Sequence, residues 1–389
     1  MAAVRLSMAA VASESSHRVA VVGASLGGLA AANVLSQLGF TVHVFERSHT
    51  TFEAKGHGLG YVDVGLWEEL RGVQMIRRGK QASRAQGAFY YGDLWRFLYE
   101  GLPRGTVRLS HTIQSLGNNT ARPCVNGEVY DMAVIADGGW SGLRHHFTKK
   151  APSYSGYVVW RGNVDAIHVP GFEAFGVFKE GHLDTIALPL TTDDGRTSIM
   201  IGFFLATPEA EIVRPETGTG RHTTEPGHNS DAASHRRCVP EWLLPLYRKK
   251  FAGHAGGELV RLMEAVIEHG KMAPHPQFEF GTDAVTAGRC VMVGDAAHMA
   301  SPRTAVGAHT AILDAMALKA AFSSLEPFSE SIARGREDVI DTALAMYSAG
   351  GVQRAQELHY RSLQVGQQFL PRQGEAVSPS LLLGREEIR

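Results

Sequence analysis

The stretch Arg289-Cys290-Val291-Met292-Val293-Gly294-Asp295-Ala296-Ala297-His298, running on to Pro302 and Gly307, decides the fold. An apolar run of strand length stops abruptly at Gly-Asp, a turn rich in small residues follows, and a helical pattern from Thr310 to Leu318 begins beyond it. A carboxylate at the end of a buried strand can hydrogen-bond a polyol or ribose without being pressed against bare hydrocarbon. Small residues after it let backbone N–H groups approach a planar or anionic ligand at a helix N-terminus. Alone, the stretch predicts a polar ligand at the switch point of an α/β fold.

A second stretch narrows the ligand. Val19-Ala20-Val21-Val22 reads as a buried strand, followed by Gly23-Ala24-Ser25-Leu26-Gly27-Gly28 and an Ala- and Leu-rich helix to about Leu38. Gly39-Phe40 stops that helix, and Val42-His43-Val44-Phe45-Glu46 reads as a second strand ending in an acid. This is the order of a dinucleotide-binding unit, with pyrophosphate on the helix N-terminus and the acid on an adenosine ribose. Ser25 stands where the pattern has its middle glycine, which crowds the backbone's approach to the pyrophosphate. In a third stretch, Val134-Ile135-Ala136-Asp137-Gly138-Gly139-Trp140-Ser141-Gly142-Leu143-Arg144, another strand ends at Asp-Gly. Ser141 is placed to cap a following helix, and Arg144 to offset a carboxylate or phosphate.

In this order and spacing the three stretches resemble class A flavoprotein monooxygenases of the para-hydroxybenzoate hydroxylase fold, over about His17 to Pro371. Within that family, the glycine loop, the Tyr157–Gly162 stretch and the Pro302-Arg303-Thr304 turn look most like the 2,6-dihydroxypyridine hydroxylase branch. The resemblance implies an α/β fold (α+β overall): a Rossmann-like FAD-binding domain, an inserted antiparallel-sheet substrate domain and C-terminal helices. It implies FAD as cofactor and NAD(P)H as co-substrate. The implied reaction is hydroxylation of a small aromatic or N-heteroaromatic ring by dioxygen through a flavin C4a-hydroperoxide. The residues it puts on FAD are Gly23, Ser25, Leu26, Gly27, Gly28, Glu46, Arg47, Asp137, Arg144, Gly294 and Asp295, then Pro302, Ala305, Val306, Gly307 and Ala308. Asp295 would take the ribityl hydroxyls, and Asp137 with Arg144 would lie near the pyrophosphate.

Such a reaction needs a base for the phenolic proton, because a phenolate is the better nucleophile. His57, Tyr61 and His182 are the candidates, each with a plainer reading as a solvated loop or turn residue. His298 fits a packing role beneath the flavin, and Arg161 a structural or flavin-adjacent one. Trp160, Phe175, Phe178, Met200 and Phe203 are the candidate pocket aromatics and thioether, against the alternative of ordinary core packing.

Division of the chain follows its changes of character. Residues 17–150 and 271–331 read as the two parts of the FAD-binding domain, and 151–270 as the sheet domain. Strands are expected over Gly156–Asn163, Ala174–Phe178, Asp184–Leu190 and Ser198–Phe204, and helices over Asp93–Glu100, Leu243–Phe251 and Glu258–His269. Residues 207–239, poor in apolar side chains, read as a mobile insertion. Residues 332–371 read as two C-terminal helices, Ile332–Ser348 and Val352–Phe369, with loose termini at 1–16 and 372–389.

A hydrophobic content of 44% and charged content of 20% fit a soluble globular chain, and a net charge of −1 gives no footing for nucleic acid or an anionic membrane. Cys124, Cys238 and Cys290 are too few and too widely spaced for a metal site and suit a reducing, cytoplasmic setting. The partner expected is a small aromatic molecule, with neither nucleic acid nor stable membrane association; a homodimer stays open.

The chain departs from the family's pattern at three places. No arginine opens the helix after residue 90, where Tyr90-Tyr91-Gly92-Asp93 stands; Ala305-Val306-Gly307 replaces Gly-x-Gly; His309 replaces Asn. These departures keep two alternatives alive beside the hydroxylase. One is a same-fold flavoenzyme that epoxidises, decarboxylates oxidatively or reduces. The other is a weakly catalytic or non-catalytic flavin-fold binding protein.

Overall fold

The computed structural model describes residues 17–52, 58–60, 62–75, 88–191, 195–212, 239–325 and 338–368. His57, Tyr61 and most of the 207–239 insertion lie outside them, as do both termini. Along the chain the elements are β1 (Arg18–Val22), α1 (Leu26–Gln37), β2 (Thr41–Phe45), β3 (Gly58–Leu59), α2 (Val64–Arg71), β4 (Phe89–Tyr90) and α3 (Tyr91–Tyr99). Then come β5 (Val107–Arg108), β6 (Cys124–Val125), β7 (Glu128–Val129), β8 (Met132–Ile135), β9 (Ser153–Asp165), β10 (Gly176–Glu180), β11 (Leu183–Thr191) and β12 (Thr197–Ala206). The rest are α4 (Leu243–Phe251), α5 (Glu258–His269), β13 (Lys271–Gly281), β14 (Thr286–Ala287), β15 (Cys290–Met292), β16 (His298–Met299), α6 (Gly307–Ser323) and α7 (Asp338–Gln367).

Two sheets carry the fold. The first runs β14-β15-β8-β1-β2-β5, parallel except for β14. Its central strands, Arg-Val-Ala-Val-Val and Met-Ala-Val-Ile, are buried almost throughout, as parallel strands covered on both faces must be. α1 covers it with small side chains, and α6 packs so closely on α1 that a Cβ built on Gly27 would stand 3.4 Å from the Ala311 methyl. The second sheet runs β10-β11-β12-β9-β13-β16 and is antiparallel. Residues alternate across it: Ile199, Ile201, Phe203 and Leu205 pack with Leu243, Tyr247, Phe251 and Leu262 of α4 and α5. Met200, Leu188 and Leu190 gather on the other face with Ala88, Tyr90 and Ile186.

The Gly-Asp stretch joins the two sheets. β15 closes the parallel sheet against β8, and six residues later His298-Met299 pairs with Gly281-Phe280 at the edge of the second. β13 therefore belongs to the second sheet, so the boundary drawn at residue 270 falls one strand early. Pro274 and Pro276 mask that strand in the sequence; they are tolerated because only its last two residues have a partner on the outer side.

Two local expectations are corrected. α7 is one continuous helix through Gly350-Gly351 over the described residues, in place of two. The glycine serves packing there, since a Cβ on Gly351 would lie 2.8 Å from the Val285 methyl. The segment after Asp137 forms only a short 3-10 turn, Arg144–His146, and Ser141 caps no α-helix.

Candidate functional site

The glycine loop, the end of β2, the start of α3 and the Gly-Asp turn converge on the N-terminus of α1. Glu46, directly after β2, accepts the Ala24 N–H on Oε2 and the Ser48 N–H on Oε1, both at 2.8 Å. The bonds fix the carboxylate while leaving each oxygen a further lone pair for ribose hydroxyls. Trp95, one turn into α3, donates its indole N–H to the Ala24 carbonyl at 2.6 Å and stacks on Tyr99. Ser25 occupies the N-cap of α1 in extended backbone, yet its hydroxyl makes no capping bond and meets the Tyr91 hydroxyl at 2.8 Å instead. The first-turn N–H groups of α1 are left facing an anion site.

Gly294 turns the chain with φ 60° and comes within 3.8 Å of a Cβ built on Gly27, so the Gly-Asp turn lies against the glycine loop. Asp295 is open to solvent but hemmed in by protein, as the wall of a cleft is. That crowding raises its carboxyl pKa against the opposing pull of His298 and Arg144. Arg144 is committed to holding the turns: it donates to the carbonyls of Ala296 (2.9 Å), Gly139 (2.8 Å) and Asp295 (3.2 Å), over the Phe280 ring. Burial draws its pKa down to about 10, with Asp137 and Asp295 opposing. Asp137 accepts the Gly142 N–H at 3.1 Å, and burial raises its pKa too. The pair thus shapes the backbone around the cleft. Arg47 is exposed at its rim.

Beneath the Gly-Asp turn lies a charged network that the sequence did not announce. Asp314, two turns into α6, receives the Gly294 N–H at 2.9 Å and His298 Nε2 at 2.6 Å, while Arg354 of α7 reaches its other oxygen at 3.1 Å. A carboxylate four residues into an apolar helical run, Thr310 to Leu318, was the available signal.

The turn from Pro302 to Thr304 is a 3-10 helix capped by Ser301, whose hydroxyl accepts the Arg303 N–H. Ala305 follows with φ 57° and ψ 8°, so an alanine holds the left-handed conformation that favours glycine. Replacing it relieves about 1–2 kcal/mol of strain and adds back about 0.5–1 kcal/mol of chain entropy. Ala305→Gly should therefore stabilise by up to about 1.5 kcal/mol, read as a higher urea midpoint at unchanged m; a lower midpoint would refute the strain. Val306, Gly307 and Ala308 open α6, and His309 points toward Asp63 with a pKa lowered by burial despite that carboxylate.

Arg303 pairs with Asp184 of β11, both largely buried, which ties this turn to the second sheet. Further along the β11–β12 pair, Gly58 lies on the sheet: its N–H meets Met200 Sδ at 3.3 Å, and a Cβ there would stand 2.6 Å from Leu190. Of the five pocket candidates, only Met200 lies on this face. Trp160 and Phe203 point to the opposite face among Trp242, Tyr247 and Phe251, Phe178 packs on that same core, and Phe175 is exposed. The two-residue alternation of a strand explains it: neighbours of a pocket residue face away from the pocket. Tyr90, Leu188 and Leu190 share the face of Met200. His182 sits exposed in the turn between β10 and β11, apart from Met200, Leu188 and Leu190.

The residues present fit FAD: a braced glycine loop, an acid oriented for ribose, uncapped N–H groups and an open aspartate in line with a second turn. Comparisons with known proteins agree. The family model for an FAD binding domain matches residues 16–125 and 258–328. The chain is 24% identical to 3-amino-4-hydroxybenzoate 2-monooxygenase of Streptomyces cremeus, covering 90% of this chain and 87% of the relative. It is 25% identical to 2,6-dihydroxypyridine 3-monooxygenase of Paenarthrobacter nicotinovorans, covering 80% and 84%. Among solved structures it matches 2,6-dihydroxypyridine-3-hydroxylase from Arthrobacter nicotinovorans with a TM-score of 0.67 at 19% identity, over 94% of this chain and 97% of that one. The chain is thus similar in sequence to FAD-dependent monooxygenases, and FAD is the cofactor that its site fits.

Proposed function

We propose that this chain hydroxylates a small, hydroxylated aromatic or N-heteroaromatic ring, using NAD(P)H and dioxygen. The observation that supports it most is that the Asp184–Arg303 pair ties the turn after the Gly-Asp stretch to one face of the second sheet, and that the same face carries an apolar cluster. The turn is Pro302–Gly307, and the cluster is Leu188, Leu190 and Met200. Reduced flavin, when bound, supplies the activation of dioxygen.

The chain's own part is to orient the ring, keep water away and handle a proton. The leucines and Met200 offer a flat, dry surface, and Gly58, without a side chain, lets the neighbouring backbone close down on it. Tyr90 brings a hydroxyl to this cluster; burial and Asp93 raise its pKa, so its hydroxyl stays protonated and orients the substrate as a donor. His57 and Tyr61, which flank Gly58-Leu59-Gly60 in sequence, stay the candidates for the base. His182, in its exposed turn, drops behind them. The cysteines suit a reducing cytoplasm, and no helix among the described residues is long and apolar enough to cross a membrane.

The purified protein, supplied with FAD, should consume NAD(P)H faster in the presence of aminohydroxybenzoates or hydroxypyridines. One product oxygen should come from 18O-labelled dioxygen. Stimulated NAD(P)H oxidation with no labelled product would instead favour another reaction on the same fold. No flavin uptake at all would sink the enzyme reading in favour of a binding protein.

A further inference from the structure

Ser25 and Tyr91 lie 66 residues apart, and the fold brings their hydroxyls together over the N-terminus of α1. A serine at an N-cap ordinarily accepts a hydrogen bond from its own helix. Here it gives up that bond and meets the Tyr91 hydroxyl instead. Trp95, one turn further along α3, clamps the Ala24 carbonyl, so α3 holds the glycine loop at two points. The charged groups that act on the Tyr91 hydroxyl are Glu46 and Asp295, both acidic. Among the described residues, Arg96 is engaged with Asp93 and Arg144 with backbone carbonyls, while Arg47 lies exposed beyond Glu46, toward the ribose end of the site. Among the described residues, a diphosphate at this helix N-terminus therefore meets neutral donors beside two carboxylates.

We infer that the Ser25–Tyr91 hydroxyl pair is this chain's diphosphate clamp, a neutral one. Two hydroxyls carry two protons and the bond between them uses one; the other is free to donate to a phosphate oxygen beside the N–H groups of α1. A clamp without a cation gives up the Coulomb attraction that screening by salt would weaken. FAD is thus held through hydrogen bonds, almost independently of ionic strength, and exchanges with the free pool. This inference rests on the FAD reading above.

Its test is binding, measured by flavin fluorescence for FAD and by calorimetry for ADP and adenosine, across a range of salt concentrations. Wild type should bind FAD and ADP with a shallow salt dependence. Tyr91→Phe should weaken both about tenfold, the scale of a hydrogen bond to a charged group, and leave adenosine unchanged. Ser25→Ala should do the same. Tyr91→Arg should tighten FAD and make its affinity fall steeply with salt. Thermal melts without ligand separate these effects from misfolding, and Ser25→Ala carries the test if Tyr91→Phe is unstable. If wild type binds FAD while both truncations bind it equally well, the clamp is wrong and the FAD site stands. If wild type binds neither FAD nor ADP, the FAD reading itself falls and the clamp with it.

Discussion

Asp314→Asn should cost about 3–5 kcal/mol of folding stability and most of the flavin affinity, although no part of Asp314 is expected to touch the cofactor. Its side chain is 1% exposed, as is that of His298, and it holds a cation-bearing group on each oxygen besides the Gly294 N–H. An asparagine of the same shape keeps one acceptor but turns an NH2 toward a donor, leaving a buried cation without its counter-charge. The Gly294 N–H then loses its anchor, and the turn that presents Asp295 is free to shift. The effect depends on pH. Burial, the largest influence on His298, lowers its pKa, but the Asp314 charge and hydrogen bond together outweigh it and the net shift is upward. Burial likewise acts against the Asp314 carboxylate, and His298, Gly294 and Arg354 reverse it, so that pKa is lowered. A raised histidine contributes stability that is complete below its unfolded value near 6.5 and is lost as pH rises through its folded one. A lowered carboxylate contributes above its unfolded value near 3.9 and is lost as pH falls through its folded one. Urea midpoints from pH 5 to 9 should thus decline on the alkaline side for wild type and run flatter for Asp314→Asn. A variant within 1 kcal/mol of wild type, with the same pH profile, would mean the network carries no weight.

What was readable in the sequence followed from local chemistry. The strand–loop–helix units around Gly23, Asp137 and Asp295 announce themselves because each needs particular residues at fixed spacing, and the helices Leu243–Phe251 and Glu258–His269 have the bounds their apolar patterns imply. What was hidden depends on partners remote in the chain. Trp160 and Phe203 look like pocket residues until the register of β9 against β12 turns both toward α4 and α5. Gly350-Gly351 looks like a helix break until Val285 is seen packed against it. Asp314 reads as a stray acid in an apolar helix until His298 and Arg354 arrive, from 16 and 40 residues away. Ser25 and the missing arginine at Tyr91 read as two separate departures, and the contact between their side chains makes them one.

Gly23→Ala should be nearly as damaging as the loss of Asp314, and for a reason with no electrostatics in it. Gly23 sits where three strands of the parallel sheet meet: its N–H donates to Phe45 at the end of β2, and Ala136, just after β8, donates to Val22 beside it. Its φ is 103°, which disfavours any side chain, and a Cβ there would lie 2.2 Å from the Ala136 carbonyl oxygen and 2.7 Å from its carbon. Both atoms are backbone, so neither can swing aside as a side chain would. Conformational strain of about 1–2 kcal/mol and overpacking of about 1–3 kcal/mol then add, because the methyl cannot escape one by accepting the other. Gly39→Ala supplies the control within the same unit: its φ is 93°, but nothing lies within 4 Å of a Cβ there. It should cost only the conformational part and leave FAD binding intact, whereas Gly23→Ala should lose both the extra stability and the flavin. Equal losses at the two positions, measured by denaturant midpoint and by flavin titration, would show that close approach at Gly23 is not what the loop requires.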